Sequence, residues 1–262
     1  MLVIADTHVH LYPCYNLSRA LTIAATNLNK LAGTEHCIRT VFLTERAGCS
    51  AFKQIKNGTL QLDLPNTVIV NSGGEESLSI VQNGSVLLIL IAGRQVVSAE
   101  NIELFALGRD LEIEDRLPAE EVLQRIIGSG AIPAFAYSPG KWIGARGWIT
   151  DRILKSNRSA GLAIGDSSLR PSVWLSPPLF SAARELNLPI IAGSDPLPFA
   201  GEENLIGTYG ILYNGHFDLN APFESWKRIL SEEKGAIKIV GRRSNLIEVA
   251  RRLYLNKKAK QS

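Results

Sequence analysis

The feature that most constrains this chain is its set of short, unbroken apolar runs. "VLLILIAG" at 86–93, "AIPAFAY" at 131–137, "GLAIGD" at 161–166 and "PIIAGSD" at 189–195 show little alternation of apolar and polar residues. A strand with one wet face alternates; a strand covered on both faces does not. These runs predict strands buried under helices, as in parallel sheets. Further strands are predicted over 2–10, 39–46, 66–76, 102–108, 209–215 and 236–241. Helical patterns lie between them at 16–31, 118–130, 176–188, 223–235 and 244–258. The segment "PAEEVLQRIIGSG" (118–130) has Pro in its first turn, Glu120 and Glu121 near the positive end of the dipole, and Gly at its exit. Too few residues separate 85–93 from 102–108 for a helical crossover, which predicts an antiparallel excursion there. Strands alternating with helices over 262 residues predict an α/β fold of the TIM-barrel type, complete or distorted, with an open doubly wound sheet as the alternative. No repeat, low-complexity linker or composition break interrupts the pattern, so one domain over 1–262 is predicted.

A net charge of +3 is too mild to argue for nucleic acid. Much of the excess sits in "RRLYLNKKAKQS" at the end, which reads as a solvated, frayed helix end rather than a binding arm. The three cysteines are widely spaced and odd in number, which disfavours a disulfide framework and suits a reduced, cytoplasmic setting. The start lacks a basic stretch followed by an apolar run, so no leader is expected, and the run at 86–93 is too short to span a bilayer.

Two of the four histidines fall in "VIADTHVHLYP" at 3–13. On a strand, residues two apart share a face, so Asp6, His8 and His10 are expected to project together. Neutral imidazoles so placed share a metal ion; equally, a polar strand end hydrogen-bonds to loops. Other strand ends carry Thr44, Glu45 and Arg46; Glu75 and Glu76; Tyr137, Ser138 and Lys141; Asp166 and Ser167; and Asp195. Barrel chemistry collects at such ends. Two imidazoles and two carboxylates make a sound set of ligands for Zn²⁺, Mn²⁺ or Fe²⁺.

In order and spacing these motifs resemble the PHP family, named for polymerase and histidinol phosphatase domains. Its Asp-x-His-x-His motif is similar to "DTHVH", its Thr-Asp-His to "TER" at 44–46, and its Gly-x-Glu to "GGEES", with Glu75 as the better match. Its His-Pro falls near "YSP" at 137–139, and its Gly-Ser-Asp-Ala-His resembles "GSDPL" at 193–197. The resemblance implies a distorted TIM-like (β/α)₇ barrel, up to three metal ions and phosphoester hydrolysis. This chain departs from the pattern at three expected histidines, where Arg46, Ser138 and Leu197 stand. What survives implies one divalent ion, Zn²⁺, Mn²⁺ or Fe²⁺, held by His8, His10, Glu75 and Asp195.

Two functions follow from that reading. The first is a metal-dependent phosphoesterase with a reduced, one-metal site. In it Arg46 would stabilise negative charge, Glu45 or Glu76 would serve as general base, and Lys141 and Arg146 would contact the anion. Its partner would be a small phosphorylated substrate, with no nucleic acid and no membrane. The second is a catalytically inactive PHP-like barrel that binds a ligand or a partner. The same charges also suit plain ion pairs, with Arg46 on Glu45, Glu75 or Glu76.

Overall fold

A computed structural model describes residues 1–74, 76–138, 142, 144–158 and 160–260. Their strands form two mixed sheets, and seven α-helices accompany them. The larger sheet is centred on β1 (Leu2–Val9), with β2 (Ile38–Leu43) parallel on one side and β11 (Tyr209–Asn214) antiparallel on the other. Beyond β2 come β5 (Ser85–Ile91), β4 (Ser77–Gln82) and β3 (Thr67–Asn71); β12 (Lys238–Gly241) lies beyond β11. The smaller sheet runs β10 (Ile190–Gly193), β9 (Ala163–Ser167), β8 (Ile132–Ala136), β7 (Glu103–Leu107) and β6 (Gly93–Val97). The antiparallel excursion expected near residue 100 is present: β7 pairs antiparallel with both β6 and β8.

No continuous ladder closes these strands into one barrel among the described residues. Two seams join the sheets instead. At the first, the Asp195 N–H donates to the His8 carbonyl at 2.9 Å and the Thr7 hydroxyl donates to the Ala192 carbonyl at 2.8 Å. Gly193 makes that approach possible, since a Cβ there would sit 2.4 Å from the backbone nitrogen of His8. At the second, the Glu45 N–H donates to the Gly93 carbonyl, and the Gln95 N–H donates to the Glu45 carbonyl.

Burial divides the apolar residues into three clusters. Val3, Ala5, Phe42, Phe105, Ala134, Ala163 and Ile211 point between the sheets, where Phe223 and Trp226 of α6 (Pro222–Glu232) join them. Neighbours one residue away, such as Ile4, Val41 and Leu90, face outward onto α1 (Leu17–Ala32). Phe135 and Ile164 face outward onto α3 (Ala119–Gly128), α4 (Ala145–Ser156) and α5 (Pro178–Glu185). This two-sided burial is the physical reason the strand sequences do not alternate. Asn16 starts α1 by accepting the Arg19 N–H, and Gly33 ends it in the left-handed conformation.

Two departures from the sequence reading concern the site. The 66–76 segment is not a covered strand; β3 is a half-exposed edge strand of the β3–β4 hairpin. A short helix, α2 (Ala51–Lys56), follows the end of β2, and α4 follows β8; neither is among the helices the sequence predicts. The helix expected over 244–258 is present. It is α7 (Leu246–Ala259), started by a reciprocal capping box between Asn245 and Glu248.

Candidate metal centre

The histidine pair lies at the first seam. Both imidazoles are buried, and their Nε2 atoms are 3.1 Å apart. Asp195 reaches them from the loop after β10, its Oδ1 3.3 Å from His8 Nε2 and 3.9 Å from His10 Nε2. Two donors each ~2.1 Å from a shared cation stand ~3.0 Å apart at a right angle and ~3.4 Å apart at the tetrahedral angle. The three donor atoms lie within 4.8 Å of one another. A hydrogen bond between the rings would suit the same nitrogen separation, so their charge state matters. Burial pushes the pKa of His8 down to about 4 and that of His10 down to about 3, with His8 and Arg46 adding to the fall at His10. Both rings are therefore neutral near pH 7 and able to donate a lone pair to a cation.

Asp195 is fixed from several sides. Its backbone is left-handed, with φ +50°. Its Oδ2 accepts from the Ser167 hydroxyl at 2.7 Å, which leaves Oδ1 toward the histidines. Its carbonyl accepts from Arg252 of α7 at 2.8 Å, and Arg252 is itself buried and paired with Glu202.

Asp6 shares the parity of the histidines but not their destination. Its carboxylate accepts the N–H groups of His8, Ser194 and Gly207 and the Ser194 hydroxyl. Burial pushes its pKa up to about 7, against the pull of those four donors. Asp6 thus ties β1 to the loops that carry Asp195 and Gly207 and stands outside the histidine cluster.

A cavity of about 280 Å³ opens on His10 and Asp195. Tyr12, Arg46, Gln95, Glu103, Ser138 and Leu197 line it, as do Leu253, Asn256 and Lys260 from α7 and its end. Arg46 is hydrogen-bonded to the Tyr12 side chain. Two of the partners expected for Arg46 are engaged elsewhere, Glu45 by the Ala51 N–H and Glu76 by Arg109, and the third, Glu75, lies outside the described residues. Arg46, Ser138 and Leu197, the three positions where the PHP resemblance expects histidine, all line this one space.

The two expected bases are elsewhere. Glu45 is buried and turned back onto α2, accepting the Ala51 N–H at 2.5 Å and the Phe52 N–H at 3.4 Å. It satisfies the first amides of that helix, which compete for any carboxylate within reach. Glu76 pairs with Arg109 beside Lys53 and Lys56, in a separate cavity. Arg146 sits in the first turn of α4. Glu75 and Lys141 lie outside the described residues.

Sequence reasoning missed Gln95, Glu103 and the place of the C-terminal helix at the cavity. Gln95, in "GRQ" at the start of β6, is buried beside His8, and no donor reaches its Oε1 with hydrogen-bond geometry among the described residues. A Gly-x-acid search lands on "GGEES", whose Glu75 lies outside the described residues, while Gln95 of "GRQ" lines the cavity. Glu103 begins an antiparallel strand, so its first residue, not its last, reaches the end of the sheet where the histidines lie. Its carboxylate favours the protonated forms of His8 and Arg46. His36 and His216 are exposed and stand outside the cluster, and all three cysteines are free.

No family model matches the sequence, and no curated protein matches it. Solved structures do. PsfC from Pseudomonas syringae PB-5123 superposes with a TM-score of 0.54 at 13% identity, covering 99% of this chain and 98% of that one. The lesion-specific endonuclease PfuEndoQ from Pyrococcus furiosus superposes with a TM-score of 0.53 at 15% identity, covering 91% of this chain and 58% of that one. These neighbours give the chain a PHP-like fold. The likeness to a lesion-specific endonuclease overturns the expected partner, a small phosphorylated molecule with no nucleic acid. The net charge of +3 averages a basic C-terminal stretch against an acidic remainder. Among the described residues no helix is long and apolar enough to cross a membrane.

Proposed function

We propose that this chain is a metal-dependent phosphodiester hydrolase acting on nucleic acid through a reduced, one-metal site. The observation that carries the proposal is the convergence of two neutral imidazole nitrogens and the Asp195 carboxylate at the wall of a cavity that also holds Arg46. The donor set fits a divalent ion, and the unpartnered Oε1 of Gln95 is a further oxygen donor beside it. Zinc, manganese and iron all suit two imidazoles with oxygen ligands. A divalent ion held by His8, His10 and Asp195 supplies Lewis acidity, polarising a phosphoryl oxygen and lowering the pKa of a water toward ~7.

The chain's own groups do the rest. Arg46, held by Tyr12, offers a planar fork of donors to the non-bridging oxygens of a phosphate. Glu103 takes the part first assigned to Glu45 or Glu76 and accepts the proton of the attacking water. Lys260 adds positive charge at the cavity rim. The fold beneath is read as one distorted seven-stranded barrel unit. The hydrogen bonds at both seams support it, as does the apolar cluster that both sheets share. The three free cysteines favour a reducing, cytoplasmic setting.

Elemental analysis of untreated protein is expected to find one Zn, Mn or Fe per chain. His8→Ala should weaken metal binding by more than the ~10–100-fold typical of a change outside the ligand shell. Hydrolysis of a labelled oligonucleotide should require added metal and vanish in Asp195→Asn. A parent protein that binds none of the three ions would sink this reading. The second reading, a catalytically silent nucleic-acid binder, draws on Arg46, Ser138 and Leu197 standing at the cavity in place of histidines. It is favoured if metal and oligonucleotide both bind and no strand is cut.

A further inference from the structure

The charge of this chain is unevenly placed. Residues 242–260 hold seven of its 28 Lys and Arg and one of its 25 Asp and Glu, a local charge of +6 in a chain whose net is +3, so the remainder carries −3. Two of the seven cations are neutralised nearby: Arg242 by Glu248 and Arg252 by Glu202. Arg243, Arg251, Lys257 and Lys260 follow one another along α7 and its two ends.

This helix docks by a narrow stripe, with Val249 and Arg252 as its buried residues. Tyr254 is 68% exposed and Ile247 is 81% exposed. Its far end enters the candidate site, since Leu253, Asn256 and Lys260 line the cavity with His10, Arg46 and Asp195. Its near end is tied to the loop after β9. Arg243 donates to the Pro171, Ser172 and Trp174 carbonyls, and the Ser172 N–H donates to the Ser244 carbonyl. That loop holds Trp174 44% exposed beside the helix start. Cations at helical spacing, with aromatic side chains at the middle and one end, thus lead to the cavity. Little burial maintains this helix, so its capping box and the Arg252 clamp serve to hold a mostly wet surface in place.

We propose that α7 is a nucleic-acid rail: it carries the phosphates of one strand on Arg251, Lys257 and Lys260, stacks bases on Tyr254 and Trp174, and delivers the strand to the cavity. This rests on the nucleic-acid reading of that cavity. Fourteen helical residues span ~21 Å, enough to follow several successive phosphates of one strand. The remainder of the chain is net negative, which makes the basic helix the complementary surface. Aromatic side chains between cations suit single strands, because every base offers a stacking face.

The test is fluorescence anisotropy of a labelled single-stranded 20-mer in EDTA, from low to moderate salt, so that binding is measured apart from any metal. Arg251→Gln/Lys257→Gln should bind at least about tenfold more weakly near 0.1 M salt and lower the slope of log K against log salt by roughly 1.4, the single-strand value for two phosphate contacts. Tyr254→Ala should weaken binding about tenfold at an unchanged slope. A double variant with the parent's affinity and slope overturns the rail, as does a parent that binds phosphatidylserine vesicles but no oligonucleotide. The two readings fail separately. Binding lost in the double variant with no cutting by the parent upholds the rail and removes the hydrolase; cutting at an unchanged KM in the double variant does the reverse.

Discussion

β1 and β2 lie side by side, run parallel and end in ionisable residues, yet the two ends do different work. The end of β1 gives His8 and His10 to the candidate metal centre, while β2 gives Arg46 to the cavity and withdraws Glu45 into the cap of α2. What separates them is the supply of nearby donors. Glu45 meets the bare amides of a helix start, Asp6 meets three backbone N–H groups, and Asp166 meets Arg170 and the Tyr209 hydroxyl. Each of those carboxylates is consumed locally. Asp195 differs because Ser167 takes one oxygen and leaves the other facing the imidazoles. A strand-end carboxylate is therefore open to a ligand only where the fold leaves its oxygen without a donor, and that is a property of neighbours rather than of the strand.

The largest expected effect comes from removing the most heavily committed of these carboxylates. Asp6 is fully buried, and Asp6→Ala strands three backbone N–H groups and the Ser194 hydroxyl at the seam that holds Asp195. At ~1–3 kcal/mol for each buried donor left unpaired, the loss should exceed ~3 kcal/mol in urea denaturation. A loss under ~1 kcal/mol would mean that the seam does not depend on Asp6, and the contrast between committed and open carboxylates would lose its strongest member.

Glu45 sharpens the same contrast through pH. Burial raises its pKa to about 7 from the ordinary 4.5, more than the Ala51 N–H lowers it. A raised carboxyl pKa means that the folded state prefers the protonated form. The stability it contributes is fully present below about 4.5 and is lost as pH rises through about 7. Glu45→Gln removes that titration while keeping an acceptor for α2. The stability of the parent relative to Glu45→Gln should therefore fall by on the order of 2 kcal/mol between pH 5 and 7.5. A difference independent of pH in paired denaturation curves would show that the helix amides hold Glu45 ionised throughout.

These cases also show what the sequence makes legible. The unbroken apolar runs revealed most of the strands, because two-sided burial is written into every residue of a covered strand. The pair His8 and His10 was legible from its period of two, and Asp195 from a short motif, since both are local patterns. Gln95 and Glu103 were not, because an amide at the start of an irregular strand and an acid at the first residue of an antiparallel one carry no pattern of their own. Their place depends on how β6 and β7 fold back. The C-terminal helix was legible as a helix, but its docking was not, for a related reason. Its polar sequence predicts solvent on all sides, and the buried clamp that docks it pairs Arg252 with Glu202, a residue 50 positions away.

The smallest expected effect tests the open carboxylate itself. Ser167 ends β9, and its hydroxyl donates to Asp195 Oδ2 while accepting the Leu169 N–H at 3.0 Å. That makes it an orienting group for a candidate ligand, and it touches neither imidazole Nε2. Ser167→Ala leaves the carboxylate present, charged and near the rings but free to turn. Metal affinity should then fall about tenfold, the lower end of what outer-shell partners contribute. Ser72→Ala, which breaks a buried hydroxyl pair with Ser79 in the distant hairpin, should leave metal affinity unchanged. Equal metal affinities for the parent and both variants in a titration would mean that Asp195 does not need Ser167 to face the histidines. Its left-handed backbone and the Arg252 clamp would then suffice, and the openness of that carboxylate would belong to the backbone and not to a neighbouring donor.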